Sequence, residues 1–209
     1  MITLYGFPNS RSQRVAWTLE ELGLEYEYRS VDMMAGEGQG EEHLTRHPDG
    51  KVPVLEDGEL VLFESLAICR YLAEHYGEAS GLLPASPVER AQVDQWLSFV
   101  ISELEQPLWT QGKHKFALPR ERRVPTVLPT AAWEFQRAMG ALQRQFDGQA
   151  WLVGGQFTLA DLFVGHTLSW GVRFKNRLPL ALEAYRERCI SRPALARAAE
   201  REKSVAEAS

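Results

Sequence analysis

Residues 51–55, Lys-Val-Pro-Val-Leu, form an apolar run of the kind found in buried strands, but a proline interrupts it. Proline has no N–H to donate to a neighbouring strand, so it is normally absent from the centre of a sheet. A turn sequence at Asp57-Gly58 and a second apolar run over 60–63 follow, which predicts a β-hairpin. We therefore expect a hairpin in which the proline either marks a sheet edge or leaves out a donor for a purpose.

Strand and helix patterns alternate along the first part of the chain. A short apolar strand at 2–5 precedes a helical pattern that stops at Gly23, and residues 24–28 alternate apolar and polar side chains as in a half-buried strand. After the hairpin, apolar residues between 64 and 76 fall on one helical face. The order β-α-β-(α)-β-β-α predicts an α/β domain over residues 1–78.

After a linker at 79–85, the chain shows helical patterns and no strand pattern. The sequence Ser-Pro-Val-Glu at 86–89 is typical of a helix start, and a long apolar stripe follows that Pro107 should kink or end. The sequence Thr-Leu-Ala-Asp at 158–161 has the spacing of a capping box. These patterns predict an all-helical domain over 86–209.

Composition excludes several classes of protein. The net charge of −5 gives little support for nucleic-acid binding, and we interpret the basic run at 113–123 as a solvated loop. No apolar run approaches the ~20 residues that span a bilayer, and we expect no secretory signal. Cys69 and Cys189 lie in apolar helical patterns, which predicts buried thiols in a cytoplasmic protein. The five histidines lack metal-ligand spacing, so we expect no metal.

Several short motifs occur in one order along nearly the whole chain. They are S-x-x-x-R-V in the first loop, G-K-V-P-V-L, D-G, E-S-x-A-I-x-x-Y-L, and G-x-x-T-L-A-D in the helical part. In combination they resemble the cytosolic glutathione transferases, and among these the serine-type, theta-like bacterial members. The resemblance implies an α/β thioredoxin-like N-terminal domain plus an all-α C-terminal domain, with glutathione as co-substrate. It also implies a homodimer with an interface along the third and fourth helices, near Arg70.

The resemblance implies that the first domain binds glutathione. Val52, before a cis Pro53, would pair its backbone with the cysteinyl backbone of glutathione, as a peptide adds to a sheet edge. Lys51 would supply a positive charge for the glycyl carboxylate. Glu64 and Ser65 would bind the γ-glutamyl end, because Glu64 suits an ammonium and a helix N-terminus at Ser65 favours a carboxylate.

A hydroxyl group near the first helix is expected to activate the thiol. The thiolate is the reactive form, and a free cysteine-like thiol has a pKa of ~8.5, so a donor must stabilise the anion. Serine-type members place the active serine four residues before an arginine, which selects Ser10 here. Asn9 and Ser12 remain alternatives, although Ser12 also suits the helix N-cap. Tyr5 lies in the first strand, and we do not expect it to activate the thiol.

The second substrate is expected in an apolar cleft that is lined by aromatic residues. The candidates are Phe7, Trp109, Phe116, Trp170 and Phe174. Lys113 and His114 are expected to contact an anionic group of this acceptor. The predicted reaction is conjugation of glutathione to a hydrophobic electrophile. The alternatives are a glutathione-dependent peroxidase or disulfide reductase on the same fold, and a non-catalytic interaction module.

Overall fold

The structure is a computed structural model that describes residues 1–146 and 148–208. The chain forms two compact units. One unit contains Met1–Leu83 together with the chain that follows Ile190, and the other contains Pro84–Ile190.

The first unit is built on a four-stranded mixed sheet. Its strands are β1 (Ile2–Gly6), β2 (Tyr26–Ser30), β3 (Val54–Asp57) and β4 (Leu60–Phe63), and its first helices are α1 (Ser12–Leu22), α2 (Glu41–Arg46) and α3 (Ser65–Tyr76). The spatial order is β2-β1-β3-β4. Only β1 and β2 are parallel, so they need the crossover helix α1 between them. This is the α/β thioredoxin-like domain that the sequence predicts.

The predicted hairpin is confirmed. Asp57 pairs with Leu60, so β3 and β4 are joined by a two-residue loop, in which Gly58 has a positive φ of 61°. A glycine at this position is favoured because an L side chain rarely adopts such a conformation. The same argument explains why α1 ends at Gly23, whose φ is 65°.

The second unit is helical, as predicted. Its helices are α4 (Pro87–Phe99), α5 (Glu105–Gly112), α6 (Leu128–Gln145), α7 (Leu159–Arg173) and α8 (Leu180–Ile190). The capping box is confirmed at the start of α7, where Asp161 accepts hydrogen bonds from the Thr158 N–H at 2.8 Å and the Thr158 hydroxyl at 3.0 Å. The same carboxylate accepts from the Tyr185 hydroxyl at 2.7 Å and from the Leu152 N–H at 2.9 Å.

The regular α-helix is interrupted directly before Pro107, where the sequence predicts a kink or an end, although the chain stays helical through this position. Pro107 lies in the first turn of α5, directly after a π-helical segment, Val100–Leu104, and a second π-helical segment, Lys113–Ala117, follows α5. A proline lacks the N–H that would bond four residues back. The π-helical segment already shifts the hydrogen-bond pattern at that position, so the missing donor is accommodated there.

The C-terminal helix α9 (Pro193–Ala208) belongs to the first unit, whereas the sequence analysis placed residues 86–209 together. Arg192 forms a bidentate ion pair with Glu21 of α1, with N–O distances of 2.5 and 2.7 Å, and Arg197 pairs with Glu20 at 2.9 Å. Bidentate arginine–carboxylate pairs are among the stronger polar contacts. These contacts hold the last helix against α1.

The two cysteines are buried, as expected from their apolar surroundings. Burial raises the pKa of the Cys69 thiol to about 12, so it is not a reactive thiolate. Within residues 1–146 and 148–208, no helix combines the length and the apolar character that crossing a bilayer requires.

Candidate functional site

Three segments leave the sheet of the first unit at the same end. Tyr5 near the end of β1 pairs with Val54 at the start of β3, and Val54 pairs with Phe63 at the end of β4. The loop after β1, the segment before β3 and the start of α3 after β4 therefore meet at one edge. Almost all of the predicted glutathione-binding residues lie in these segments.

Val52 lies at this edge with its backbone unpaired. The Val52–Pro53 bond is cis, as predicted, and the ladder of β3 begins only at Val54. The Val52 side chain packs against Tyr5, Val31 and Val54, which anchors the residue. No hydrogen bond joins the N–H or C=O of Val52 to any other described residue. Its two backbone groups are therefore available to an extended ligand.

Two histidines that the sequence analysis did not select support this edge. His43, which is 5% exposed, places its Nε2 2.8 Å from the carbonyl oxygen of Lys51. His47 accepts a hydrogen bond from the N–H of Asp49 through Nδ1, at 3.1 Å. Their position just before the proline segment is a signal that could have identified them. The Lys51 ammonium pairs with the carboxylate of Asp49, and both side chains are largely exposed.

The start of α3 is strained, and no side chain in the described part of the chain caps it. Glu64 immediately precedes the helix with φ 70° and ψ 112°, an uncommon conformation for a residue other than glycine. Backbone strain of this kind clusters at ligand-binding positions. Ser65 is the first helical residue and is 4% exposed. The N–H groups of the first turn can therefore bind a carboxylate, as the sequence predicts for Ser65.

The loop between β1 and α1 joins Ser10 and Ser12 by a hydrogen bond between their hydroxyls. The Ser12 hydroxyl is fully buried, donates to the carbonyl of Phe7 at 3.0 Å and accepts from the N–H of Phe7 at 3.0 Å. Ser12 therefore does not cap α1 with its side chain, which corrects the expected N-cap. Instead, Ser10 is half-buried and its Oγ accepts from the Ser12 N–H at 3.1 Å. Asn9 is exposed, with φ 61°.

The hydroxyl of Tyr5 is already engaged elsewhere. It donates to Glu56 Oε2 at 3.0 Å, and the guanidinium of Arg46 lies 4.5 Å from the ring centroid. Burial raises the pKa of Tyr5, and the hydrogen bond with Glu56 raises it further. These contacts agree with the expectation that Tyr5 does not activate the thiol.

The four aromatic residues predicted in the second unit form one cluster around Phe174. The ring centroids of Phe116 and Trp170 lie 6.3 and 5.8 Å from that of Phe174, both edge-on. A Cβ added to Gly112 would lie 3.4 Å from Phe116 and 3.6 Å from Trp109. All four rings remain partly exposed, whereas core residues such as Phe135 are fully buried. Phe7, the fifth candidate, is in the first unit.

Lys115, a cation that was not predicted, lies beside this cluster, while the expected contacts of Lys113 and His114 with the acceptor remain predictions. Lys115 places its ammonium 4.8 Å from the ring centroid of Phe174, whereas His114 accepts a hydrogen bond from the N–H of Val124 at 3.1 Å. Residues 113–117 form a π-helical segment, so the side chains are turned differently from those of a regular α-helix. Periodicity at 3.6 residues per turn could therefore not identify Lys115.

Within the described parts of the chain, no three histidine, cysteine, aspartate or glutamate side chains come together as a possible metal site. The expectation that the protein needs no metal remains a prediction.

Comparison with known proteins identifies the family. The family model for the glutathione S-transferase N-terminal domain matches residues 1–74, and that for the C-terminal domain matches residues 106–193. Glutathione S-transferase F10 of Arabidopsis thaliana is 32% identical over 168 residues, which covers 78% of this chain and 77% of the relative. The chain belongs to the glutathione S-transferase family.

Two solved structures extend the likeness to the whole fold. A glutathione transferase from Methylococcus capsulatus has a TM-score of 0.83 at 30% identity, covering 98% of this chain and 100% of the other. The glutathione transferase URE2P6 from Phanerochaete chrysosporium, solved in complex with oxidized glutathione, has a TM-score of 0.83 at 28% identity, covering 98% and 97%.

Proposed function

We propose that this protein is a serine-type glutathione transferase that conjugates the glutathione thiolate to a hydrophobic electrophile. The observation that carries the proposal is the meeting of three segments at one sheet edge: the loop with Ser10, the unpaired backbone of Val52, and the uncapped start of α3 at Ser65. An extended tripeptide needs a strand-like partner for its backbone and a site for its terminal carboxylate, and this edge offers both. Membership of the family supports the same activity.

In the proposed binding mode, each charged group of glutathione contacts a protein group of opposite charge or a hydrogen-bond donor. The backbone of Val52, directly before Pro53, pairs with the cysteinyl backbone of glutathione. The first turn of α3, together with the Ser65 hydroxyl, binds the γ-glutamyl carboxylate. Glu64 binds the ammonium of the γ-glutamyl end, and Lys51 binds the glycyl carboxylate. Lys51 must share its charge with Asp49, and both are exposed, so we expect its contribution to be the smallest of the set.

Ser10 is the proposed residue that stabilises the thiolate. Either hydroxyl can donate in the Ser10–Ser12 pair, and when Ser12 gives its one proton to the Phe7 carbonyl it is Ser10 that donates to Ser12. Rotation of the Ser10 O–H directs that proton to a thiolate sulfur, while the Ser12 N–H keeps Ser10 Oγ in place. The thiolate then attacks the electrophilic carbon, a C–S bond forms, and the leaving group departs with its electron pair.

The test of this role is Ser10→Ala, with Asn9→Ala as the matched control. A hydrogen bond to a charged group contributes about 1.5–3 kcal/mol, so we expect kcat/KM with chlorodinitrobenzene to fall roughly tenfold to a hundredfold in Ser10→Ala. The pKa of bound glutathione, followed by its thiolate absorbance, should rise in parallel, while glutathione affinity stays within a few-fold. Unchanged turnover and thiol pKa in Ser10→Ala, with losses in Asn9→Ala, would transfer the role to Asn9.

The oligomeric state and location are part of the proposal. We propose a cytoplasmic homodimer with an interface along α3 and α4, near Arg70. Exposed apolar side chains on β4 and at the start of α4 support it, because Phe63 is 41% exposed and Val88 is 70% exposed. Sedimentation at micromolar concentration should give twice the monomer mass, and a monomer there would refute the interface.

A further inference from the structure

The aromatic cluster of the second unit is bordered by a cation whose charge is not neutralised. The ammonium of Lys115 lies over the Phe174 ring and donates to the Oε1 of Gln111 at 3.3 Å. No carboxylate among the described residues pairs with Lys115. The site therefore combines apolar rings with an available positive charge.

The amide of Gln111 provides a second, independent observation. Gln111 is 4% exposed, yet its Nε2 has no hydrogen-bond partner among the residues that the structure describes. Buried hydrogen-bond donors nearly always have an acceptor, so the unsatisfied N–H of Gln111 indicates a position for an acceptor atom of a ligand. Because Oε1 accepts from Lys115, the free N–H group belongs to the same amide and lies close to the ammonium. Both donors favour the same kind of ligand, an anion.

The surrounding segment adds to the positive charge. Residues 113–123 contain five cations and one carboxylate, Glu121, in a chain whose net charge is −5. The guanidinium of Arg123 donates hydrogen bonds to three backbone carbonyls. These are the carbonyls of Leu118 and Phe116, at 2.7 Å each, and that of Lys115, at 3.2 Å. Within the basic run, the turn that carries Lys115 and Phe116 is thus held in place by side chain–backbone bonds.

We propose that this cluster is an acceptor subsite for aromatic electrophiles that carry a carboxylate, with Lys115 as the residue that selects for the charge. The inference rests on the proposed function, because it takes the cluster as the place where the acceptor binds. The aromatic body of the substrate contacts Phe116, Trp170 and Phe174, and its carboxylate accepts from Lys115 and from the open N–H of Gln111. A charged group that is held next to apolar rings is bound more strongly than in open solvent.

The test compares two electrophiles that react alike and differ in charge. Glutathione displaces chloride from both 1-chloro-2,4-dinitrobenzene and 4-chloro-3,5-dinitrobenzoate, forming the C–S bond and breaking the C–Cl bond. In Lys115→Met the KM for the benzoate should rise about tenfold with kcat little changed, whereas the KM for the neutral compound should change much less. Lys115→Arg, which keeps the charge, should recover most of the affinity.

Arg120→Met is the matched control, since it removes a charge from the same segment without a contact to the rings. An equal rise in the benzoate KM in Arg120→Met, or equal changes for both electrophiles in Lys115→Met, would overturn the subsite. Equilibrium binding of unreactive 3,5-dinitrobenzoate and 1,3-dinitrobenzene, read by quenching of tryptophan fluorescence, gives the same comparison without turnover. Failure of the proposed function appears separately, as absence of glutathione binding and of conjugation of either chloride.

Discussion

The two candidate sites of this protein are built in different ways. The edge in the first unit consists largely of backbone groups, and each part comes from a segment of a few residues: the loop around Ser10, the Val52–Pro53 pair and the Glu64–Ser65 pair. The cluster in the second unit consists of side chains that are separated by more than sixty positions, between Trp109 and Phe174. A site of backbone groups is encoded locally, whereas a site of side chains depends on how helices pack.

The largest effect on stability is expected for Asp161, whose hydrogen bonds hold together the helices that carry the second site. Asp161 joins the start of α7 to Leu152 and to Tyr185 of α8 through four hydrogen bonds. In Asp161→Asn the new NH2 group cannot accept, so buried donors lose their partner, and the free energy of unfolding should fall by about 2–4 kcal/mol. Denaturation with urea measures this loss.

The control for that variant is Glu183→Gln in the first turn of α8, which breaks an ion pair with Arg186 whose N–O distance is 2.9 Å. Its effect should stay below about 1 kcal/mol, because Glu183 is only partly buried and Arg186 keeps its ion pair with Glu187. Glutathione affinity should be preserved in both folded variants. A loss of only a few tenths of a kcal/mol in Asp161→Asn would show that the capping network does not hold the helical unit together.

A smaller effect is expected in the first unit from Ser12→Ala. The substitution leaves the N–H of Phe7 without its acceptor, while the Phe7 carbonyl keeps the bond from the Ser10 N–H, so stability should fall by about 1–3 kcal/mol. Because Ser10 also loses its hydroxyl partner, the pKa of bound glutathione should change as well. Ser102→Ala, which removes an exposed hydroxyl on a helix, should stay within about 0.5 kcal/mol. A stability loss without any change in the thiol pKa would limit Ser12 to a structural role.

Substitution of two glycines in the second unit separates an effect on stability from an effect on acceptor binding. A Cβ on Gly171 would lie 2.5 Å from the Phe135 ring, which is fully buried, so Gly171→Ala should destabilise by about 1–3 kcal/mol. The nearest atom to a Cβ on Gly112 is 3.4 Å away, so Gly112→Ala should change stability by less than about 1 kcal/mol. Its methyl group projects toward the aromatic cluster, and the acceptor KM should change. Unchanged acceptor kinetics in Gly112→Ala would speak against the cluster as a substrate site.

The smallest effect concerns pH and belongs to the first site. Burial lowers the pKa of His47 below its usual 6.5, so the unfolded chain binds a proton at higher pH than the folded chain. The free energy of unfolding should therefore decrease as pH falls through about 6.5, by at most about 1.4 kcal/mol per pH unit from this one group. His47→Gln should remove this component. An identical pH dependence in wild type and variant would contradict the assignment.

Several features could be predicted because they depend on neighbouring residues. The hairpin at Asp57-Gly58 and the capping box at Thr158 each follow from residues within a few positions, whereas the cis bond at Pro53 was implied by the family resemblance, and the structure contains all three. The interruption of the regular helix expected near Pro107 is present as a π-helical segment directly before it. The expected cap at Ser12 is wrong even though its partner is near in sequence, because the Ser12 hydroxyl bonds to Phe7 instead of capping α1.

The order of strands and helices and the α/β and all-helical classes of the two parts were determined by the sequence itself, because periodicity, glycine and proline act over one or two turns of chain. The thioredoxin-like fold and the unpaired edge before β3 were implied by the resemblance of its motifs to a known family. The tertiary structure alone decided that α9 packs with the first unit, that four aromatic side chains meet around Phe174, and that Lys115 is the cation beside them. These arrangements depend on which helix faces pack against each other across long separations in the chain. Local sequence patterns do not determine that packing.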